Sequence, residues 1–136
     1  TAMCLTKEGE VIFIEQYRHP IGQVLLELPG GFIDAGEDMH QALHRELMEE
    51  TGYRFDAIKY LSTTYGNPGA LRGATHLFLA TGGELMGVQE LDENEEIKVL
   101  RCTLHEAMEK LLRGEIKQSM HALCMFHAFH HLDNSL

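Results

Sequence analysis

At 136 residues, 44% of them hydrophobic and 24% charged, the chain is long enough for one domain with its own core and no more. A formal net charge of -10 excludes nucleic acid and anionic membrane as natural partners. It also makes an anionic small substrate awkward, unless cations and a few local arginines reverse the field in the site.

The chain opens on Thr1 in an apolar stretch, so a preceding segment is expected. Residues 2–5 and 11–16 read as two strands around the turn 6–9. Next comes EQYRHP, in which Arg18 follows the aromatic Tyr17 just past a strand end. Such a guanidinium suits a phosphate or an adenine face, and equally an ordinary surface position. Residues 24–28 form a short apolar strand with Glu27 inside it, and a solvated strand edge would accommodate that carboxylate. Pro29, Gly30 and Gly31 stop the strand. The glycines let the backbone turn tightly and approach a ligand, so the Gly30 carbonyl is a candidate metal ligand.

A helix is expected from about residue 38 to 51, ended by Gly52 as a left-handed cap. At about 100° per residue, Met39, Ala42, Leu43 and Leu47 make one apolar stripe. Glu46 and Glu50 project within that stripe, not opposite it. Two carboxylates one turn apart repel, they sit near the helix C-terminus where the dipole disfavours them, and burial adds a desolvation cost of several kcal/mol. Arg45 can pair with Glu49, one turn on, which leaves Glu46 and Glu50 without a partner. A hard divalent cation held through oxygen would offset all three penalties; a solvated acidic face is the bland alternative.

Beyond the helix, residues 55–64 read as one or two strands, 64–69 as a Gly/Pro loop, 75–80 as a strand, 81–94 as a Gly- and acid-rich loop and 97–102 as the last strand. The acidic run 92–96 is no calcium loop, since Ile97 stands where an EF-hand needs glycine. Thr103 to Glu106 has the capping-box pattern opening a helix that Gly114 closes, with Leu104, Ala107, Met108, Leu111 and Leu112 toward a sheet. A final helix runs from Ser119 to about Leu132. It carries His121, His127, His130 and His131, and the last three have helical metal spacing without an acidic partner in register. Cys4, Cys102 and Cys124 have no paired spacing, so reduced thiols in a cytoplasm are expected. No apolar run is long enough to span a membrane, no leader is visible, and no repeat or linker marks a second domain.

The stretch GFIDAGEDMHQALHRELMEETGY, residues 31–53, resembles the signature of the Nudix hydrolases, G-x(5)-E-x(7)-R-E-U-x-E-E-x-G-U with U a bulky apolar residue. Gly31, Glu37, Arg45, Glu46, Leu47, Glu49, Glu50 and Gly52 fall in place, with Tyr53 at the last U. QYRHP before this box, ELPGGFIDAGE across it, Pro68 fifteen residues beyond it and DENEEIKV near the end resemble the ADP-ribose pyrophosphatase branch. The resemblance covers nearly the whole chain.

It implies an α+β fold, a single Nudix domain over residues 1–136 built as an α/β/α sandwich with a mixed β-sheet. It implies hydrolysis of a nucleoside diphosphate sugar, ADP-ribose to AMP and ribose 5-phosphate, with Mg²⁺ as cofactor and Mn²⁺ as a substitute. By position, Glu46 and Glu50 would be metal ligands with the Gly30 carbonyl, and Glu49 a further ligand or a carboxylate behind them. Arg45 would orient a glutamate and Glu37 would help close the loop–helix–loop. Arg18, Phe32, Glu27 and Pro68 would lie on the substrate side. In the loop 92–96, Glu93 takes the role of base and Glu95 that of metal ligand, and the two can exchange. The branch carries an N-terminal sheet that swaps between subunits, so a homodimer is an expectation carried over from it. Two alternatives stay open: a GDP-mannose-type hydrolase, and a Nudix-fold sensor that binds such a nucleotide without cleaving it.

Overall fold

A computed structural model describes residues 1–134. Strands β1 (Ala2–Thr6), β2 (Val11–Arg18), β3 (Gln23–Glu27), β4 (Tyr53–Arg54), β5 (Ala57–Tyr65), β6 (Ala74–Leu85) and β7 (Ile97–Cys102) form one mixed sheet. β1 runs parallel to β6 and antiparallel to β2. β2 also pairs antiparallel with β3 and β7, and β6 with β4 and β5. Three α-helices, α1 (Met39–Thr51), α2 (Leu104–Leu112) and α3 (Ser119–Asn134), and a single 3-10 turn at His19–Ile21 accompany the sheet among the described residues.

The central strand fixes the layering. All five residues of β1 are buried, so both of its faces are covered. Ala2 and Cys4 join Ile12, Phe78 and Ala80 under Leu43 and Leu47 of α1. Met3 and Leu5 join Val11, Phe13, Leu77 and Leu79 under Ala107 and Leu111 of α2 and Cys124, Met125 and Ala128 of α3. Period-2 alternation thus sends each strand's side chains into two separate cores, an α/β/α sandwich as the box resemblance implied.

Several boundaries differ from the sequence reading. Arg18 is the last residue of β2, not a position beyond it. β5 ends one residue later, at Tyr65, which was expected in the loop. β6 continues to Leu85, through residues expected to be loop. Gly82 and Gly83 mislead there, because they answer a packing demand. A Cβ on Gly83 would lie 2.6 Å from the Phe55 ring, and one on Gly82, at φ +70°, would lie 2.6 Å from the Asp56 carboxylate. The last helix reaches Asn134. On α2 the capping box is present, with Thr103 and Glu106 bonded reciprocally, but Leu112 is 65% exposed and does not face the sheet. No helix among the described residues is long and apolar enough to cross a membrane.

Candidate active site

α1 is set by its ends. The Asp38 carboxylate accepts the His40 and Gln41 amides, and Gly52 takes φ +74° while its N–H bonds the Met48 carbonyl. Between those caps, Ala42, Leu43 and Leu47 are buried, and Glu50 with them at 5% exposure. The expected placement of carboxylates within the apolar stripe is what the fold has.

Among the described residues Glu50 has no cationic partner in contact. Its Oε2 accepts the Gly30 N–H at 2.8 Å. Burial pushes its carboxyl up to about 8; the Gly30 amide opposes this, and the charges of Glu46 and Glu95 add to it. Glu46 is raised as well, by burial first, against the pull of Arg45.

Arg45 corrects the expectation that Glu46 is unpaired. Its Nη1 donates to Glu46 Oε1 at 3.0 Å and to Glu49 Oε2 at 3.2 Å. Its Nε and Nη2 form a two-pronged pair with Glu37 at 2.9 Å each, and Nη2 also holds the Phe32 carbonyl. The guanidinium fork serves several acceptors at once, which sequence spacing alone does not reveal. Glu37 in turn accepts the Asp34 amide at 3.1 Å and closes the loop before α1. That double engagement, Arg45 first, holds its carboxyl below the usual range.

Gly30 is sterically required, and Gly31 leaves room for the Glu46 carboxylate. A Cβ on Gly31 would lie 2.3 Å from the Glu46 carboxyl carbon, and Gly30, at φ +143°, would place one 2.6 Å from the backbone of residue 1.

Arg18 and Glu27 lie on adjacent strands, β2 and β3, on the same face as Ile14, and so on the α1 side of the sheet. Glu27 is 1% exposed, not a solvated edge residue. Arg18 Nε and Nη2 grip its two oxygens at 2.9 and 2.5 Å. The Arg18 side chain remains 41% exposed, so the pair holds a cation at the mouth of an acidic site.

The loop 86–96 is tied down on α1. Glu90 N–H bonds the Glu49 carbonyl at 2.8 Å, and Gln89 Nε2 bridges the Glu50 and Ile97 carbonyls at 2.6 and 3.0 Å. Glu95 accepts the Asp92 amide at 3.2 Å and is close enough for its charge to raise Glu46 and Glu50. Glu93 is exposed, without a hydrogen bond or ion pair among the described residues. Phe32 is 88% exposed, and Pro68 lies in the exposed loop 66–73. Neither side chain is packed into the box.

Two residues were missed as parts of this site. Gln89 carries no sequence signal. His121 was legible, because it stands at the i, i+3, i+4, i+7 spacing of the buried Cys124, Met125 and Ala128. The other α3 histidines form no metal cluster among the described residues.

Glu46, Glu49, Glu50, Glu95 and the Gly30 carbonyl are an all-oxygen donor set suited to a hard divalent cation. Glu46 and Glu49 each give one oxygen to Arg45, and Glu50 gives one to Gly30. Each therefore keeps one oxygen for a metal. No three carboxylates are gathered as a cage among the described residues. A buried carboxylate without a contacting cation, beside another raised in pKa, fits a divalent ion in chemistry and charge.

The NUDIX domain model matches residues 1–123. ADP-ribose pyrophosphatase of Bacillus subtilis is 33% identical over 115 residues, covering 84% of this chain and 62% of the relative. That of Saccharomyces cerevisiae is 35% identical over 114 residues, covering 79% and 48%. GDP-mannose pyrophosphatase of Cronobacter sakazakii is 32% identical over 130 residues, covering 89% and 67%. The chain thus spans about half to two-thirds of the length of these curated relatives. A crystal structure of an ADP compounds hydrolase superposes with a TM-score of 0.87 at 21% identity, covering 98% of this chain and 71% of the other, which is a likeness of fold. With the box intact and the family model spanning nearly all of it, the chain belongs to the Nudix family.

Proposed function

We propose that the protein hydrolyses the pyrophosphate of ADP-ribose or a related nucleoside diphosphate sugar with the aid of Mg²⁺, giving AMP and ribose 5-phosphate from ADP-ribose. The observation that carries this reading is Glu50, an acidic side chain 5% exposed on the box helix and held, among the described residues, by a backbone amide and no cation.

Glu46, Glu50 and the Gly30 carbonyl would hold the metal, with Glu49 and Glu95 as further donors. When bound, the ion neutralises the pyrophosphate and lowers the pKa of a water. Arg45 keeps Glu46 and Glu49 oriented, and Gly30 N–H keeps Glu50 oriented. Arg18, backed by the buried Glu27, would meet phosphate or base. Water oxygen bonds to phosphorus as the bridging oxygen leaves, and the water proton passes to a glutamate of the 86–96 loop. Glu93 is free for that role, while the charge coupling of Glu95 to Glu46 and Glu50 supports Glu95 as the metal-side partner.

The experiment is Mg²⁺-dependent cleavage of ADP-ribose and of GDP-mannose by the wild type and Glu50→Gln. Preferential ADP-ribose cleavage, lost by a factor of about a thousand in the variant, supports the reading. Preference for GDP-mannose, which similarity to the GDP-mannose pyrophosphatases favours, would move the substrate. Binding without cleavage of either would leave a sensor.

A further inference from the structure

α3 lies across the sheet from the box helix, yet one of its side chains reaches the glycine turn of the site. His121 is 8% exposed in the first turn of α3. Its Nδ1 accepts the Leu28 N–H at 3.2 Å, a contact between residues 93 apart in sequence. The β2–β3 ladder ends at Glu27, paired with Ile14, so no strand takes that amide. Leu28 is 1% exposed, so water does not take it either.

The two residues after Leu28 give the contact its importance. Pro29 has no N–H, and its carbonyl accepts the Ala2 amide at 3.1 Å. Gly30 N–H then goes to Glu50 at 2.8 Å. Three consecutive residues are therefore held by three different elements: Leu28 by α3, Pro29 by β1 and Gly30 by α1. The first of these anchors is a side chain from the opposite side of the sheet, and the Thr1 hydroxyl adds a second bond to the Pro29 carbonyl at 3.0 Å. We propose that His121 is a positioning residue for the metal site, its imidazole fixing Leu28 so that Gly30 is presented to Glu50. The metal rests on the function proposed above; the positioning of the turn does not. Burial holds the imidazole well below its usual range, at about 3, with the Arg18 charge acting in the same direction. Nδ1 therefore stays an acceptor at neutral pH, and Nε2 carries the proton.

The test compares His121→Leu, which keeps bulk without an acceptor, with His121→Asn, whose amide oxygen can stand near the Nδ1 position. Three quantities are read on the full chain well below its melting temperature. They are hydrogen exchange at the Leu28 and Gly30 amides without metal, the Mn²⁺ dissociation constant by electron paramagnetic resonance without substrate, and kcat and KM for ADP-ribose with Mg²⁺. The leucine variant should exchange both amides about tenfold faster, bind Mn²⁺ about tenfold more weakly and lose kcat at nearly constant KM. Asparagine should restore most of each. Should leucine prevent folding, His121→Gln, whose oxygen reaches toward the Nε2 position, replaces it with the same expectation. A lower melting temperature with wild-type Gly30 exchange and Mn²⁺ affinity would reduce His121 to core packing and overturn the proposal. So would equal damage from leucine and asparagine. If the wild type leaves ADP-ribose intact, the functional reading fails, while the exchange and Mn²⁺ results still decide the role of His121.

Discussion

Metal-free stability should depend on pH through Glu50. Its carboxyl rises from an ordinary 4.5 to about 8 because the side chain is buried among apolar neighbours, with Glu46 and Glu95 adding repulsion. The folded state therefore favours the protonated acid. Below pH 4.5 both folded and unfolded chains carry that proton, and Glu50 costs nothing. Between 4.5 and 8 the unfolded chain ionises first, so the folded state binds more protons and loses stability as pH rises. Above about 8 both states are ionised and the penalty is constant. At 1.36 kcal/mol per pH unit, the interval from 4.5 to about 8 corresponds to a penalty on the order of 5 kcal/mol. That is comparable with the whole stability of a small domain.

Glutamine at position 50 has no proton to exchange and can still accept the Gly30 amide. Urea unfolding in EDTA at pH 5, 6, 7 and 8 should show wild-type stability falling by several kcal/mol relative to Glu50→Gln. Saturating Mg²⁺ should return the wild type at pH 8 by about 2.7 kcal/mol at a hundredfold excess over Kd and leave the variant nearly unchanged. Parallel stability profiles in EDTA would refute the argument, because they would mean that Glu50 is hydrated or otherwise compensated in the folded state.

Arg18→Ala strands the buried Glu27 carboxylate and should cost about 3 kcal/mol or more by urea unfolding; joint replacement of Arg18 and Glu27 by Met and Leu should recover most of that. Gly31→Ala pushes a methyl group onto the Glu46 carboxylate and should weaken Mn²⁺ binding tenfold or more by titration. Gly73→Ala, with nothing within 4 Å of the added carbon, should bind as wild type. Glu93→Gln should lower kcat and keep Mn²⁺ affinity, whereas Glu95→Gln should weaken the ion; the reverse pattern would exchange the two roles.

Much of the fold was legible because its signals are local. The stripe of Ala42, Leu43 and Leu47, the Asp38 and Gly52 caps and the Thr103 capping box each depend on residues within a few positions of one another. So does the burial of Glu50, which comes from its register with Leu47 and Leu43. The misread boundaries had distant causes. Gly82 and Gly83 look like loop punctuation until Phe55 and Asp56 are brought against them. Glu27 looks like a tolerable edge charge until β2 delivers Arg18 to its oxygens. Gln89 joins two carbonyls whose proximity depends on the whole sandwich.

The same distinction explains how Glu37, Glu46, Glu49 and Glu50 coexist on one helix and its approach loop. Spacing showed only that Arg45 could meet Glu49. Folding the 31–38 loop back over α1 gives the guanidinium Glu37 and the Phe32 carbonyl as well, and Glu46 meets it from the next position of α1. One cation thereby hydrogen-bonds three glutamates, with Asp34 a looser ion pair at 3.5 Å, while leaving Glu46 and Glu49 an oxygen each. Glu50 lies outside that arrangement and is restrained by a neutral amide, which orients the carboxylate but does not neutralise it. Within the box, repulsion is therefore relieved at Glu37, Glu46 and Glu49 and kept at Glu50. Arg45→Lys, which keeps the charge but loses the fork, should accordingly disturb the three restrained glutamates and leave the Glu50-dependent pH slope in EDTA in place.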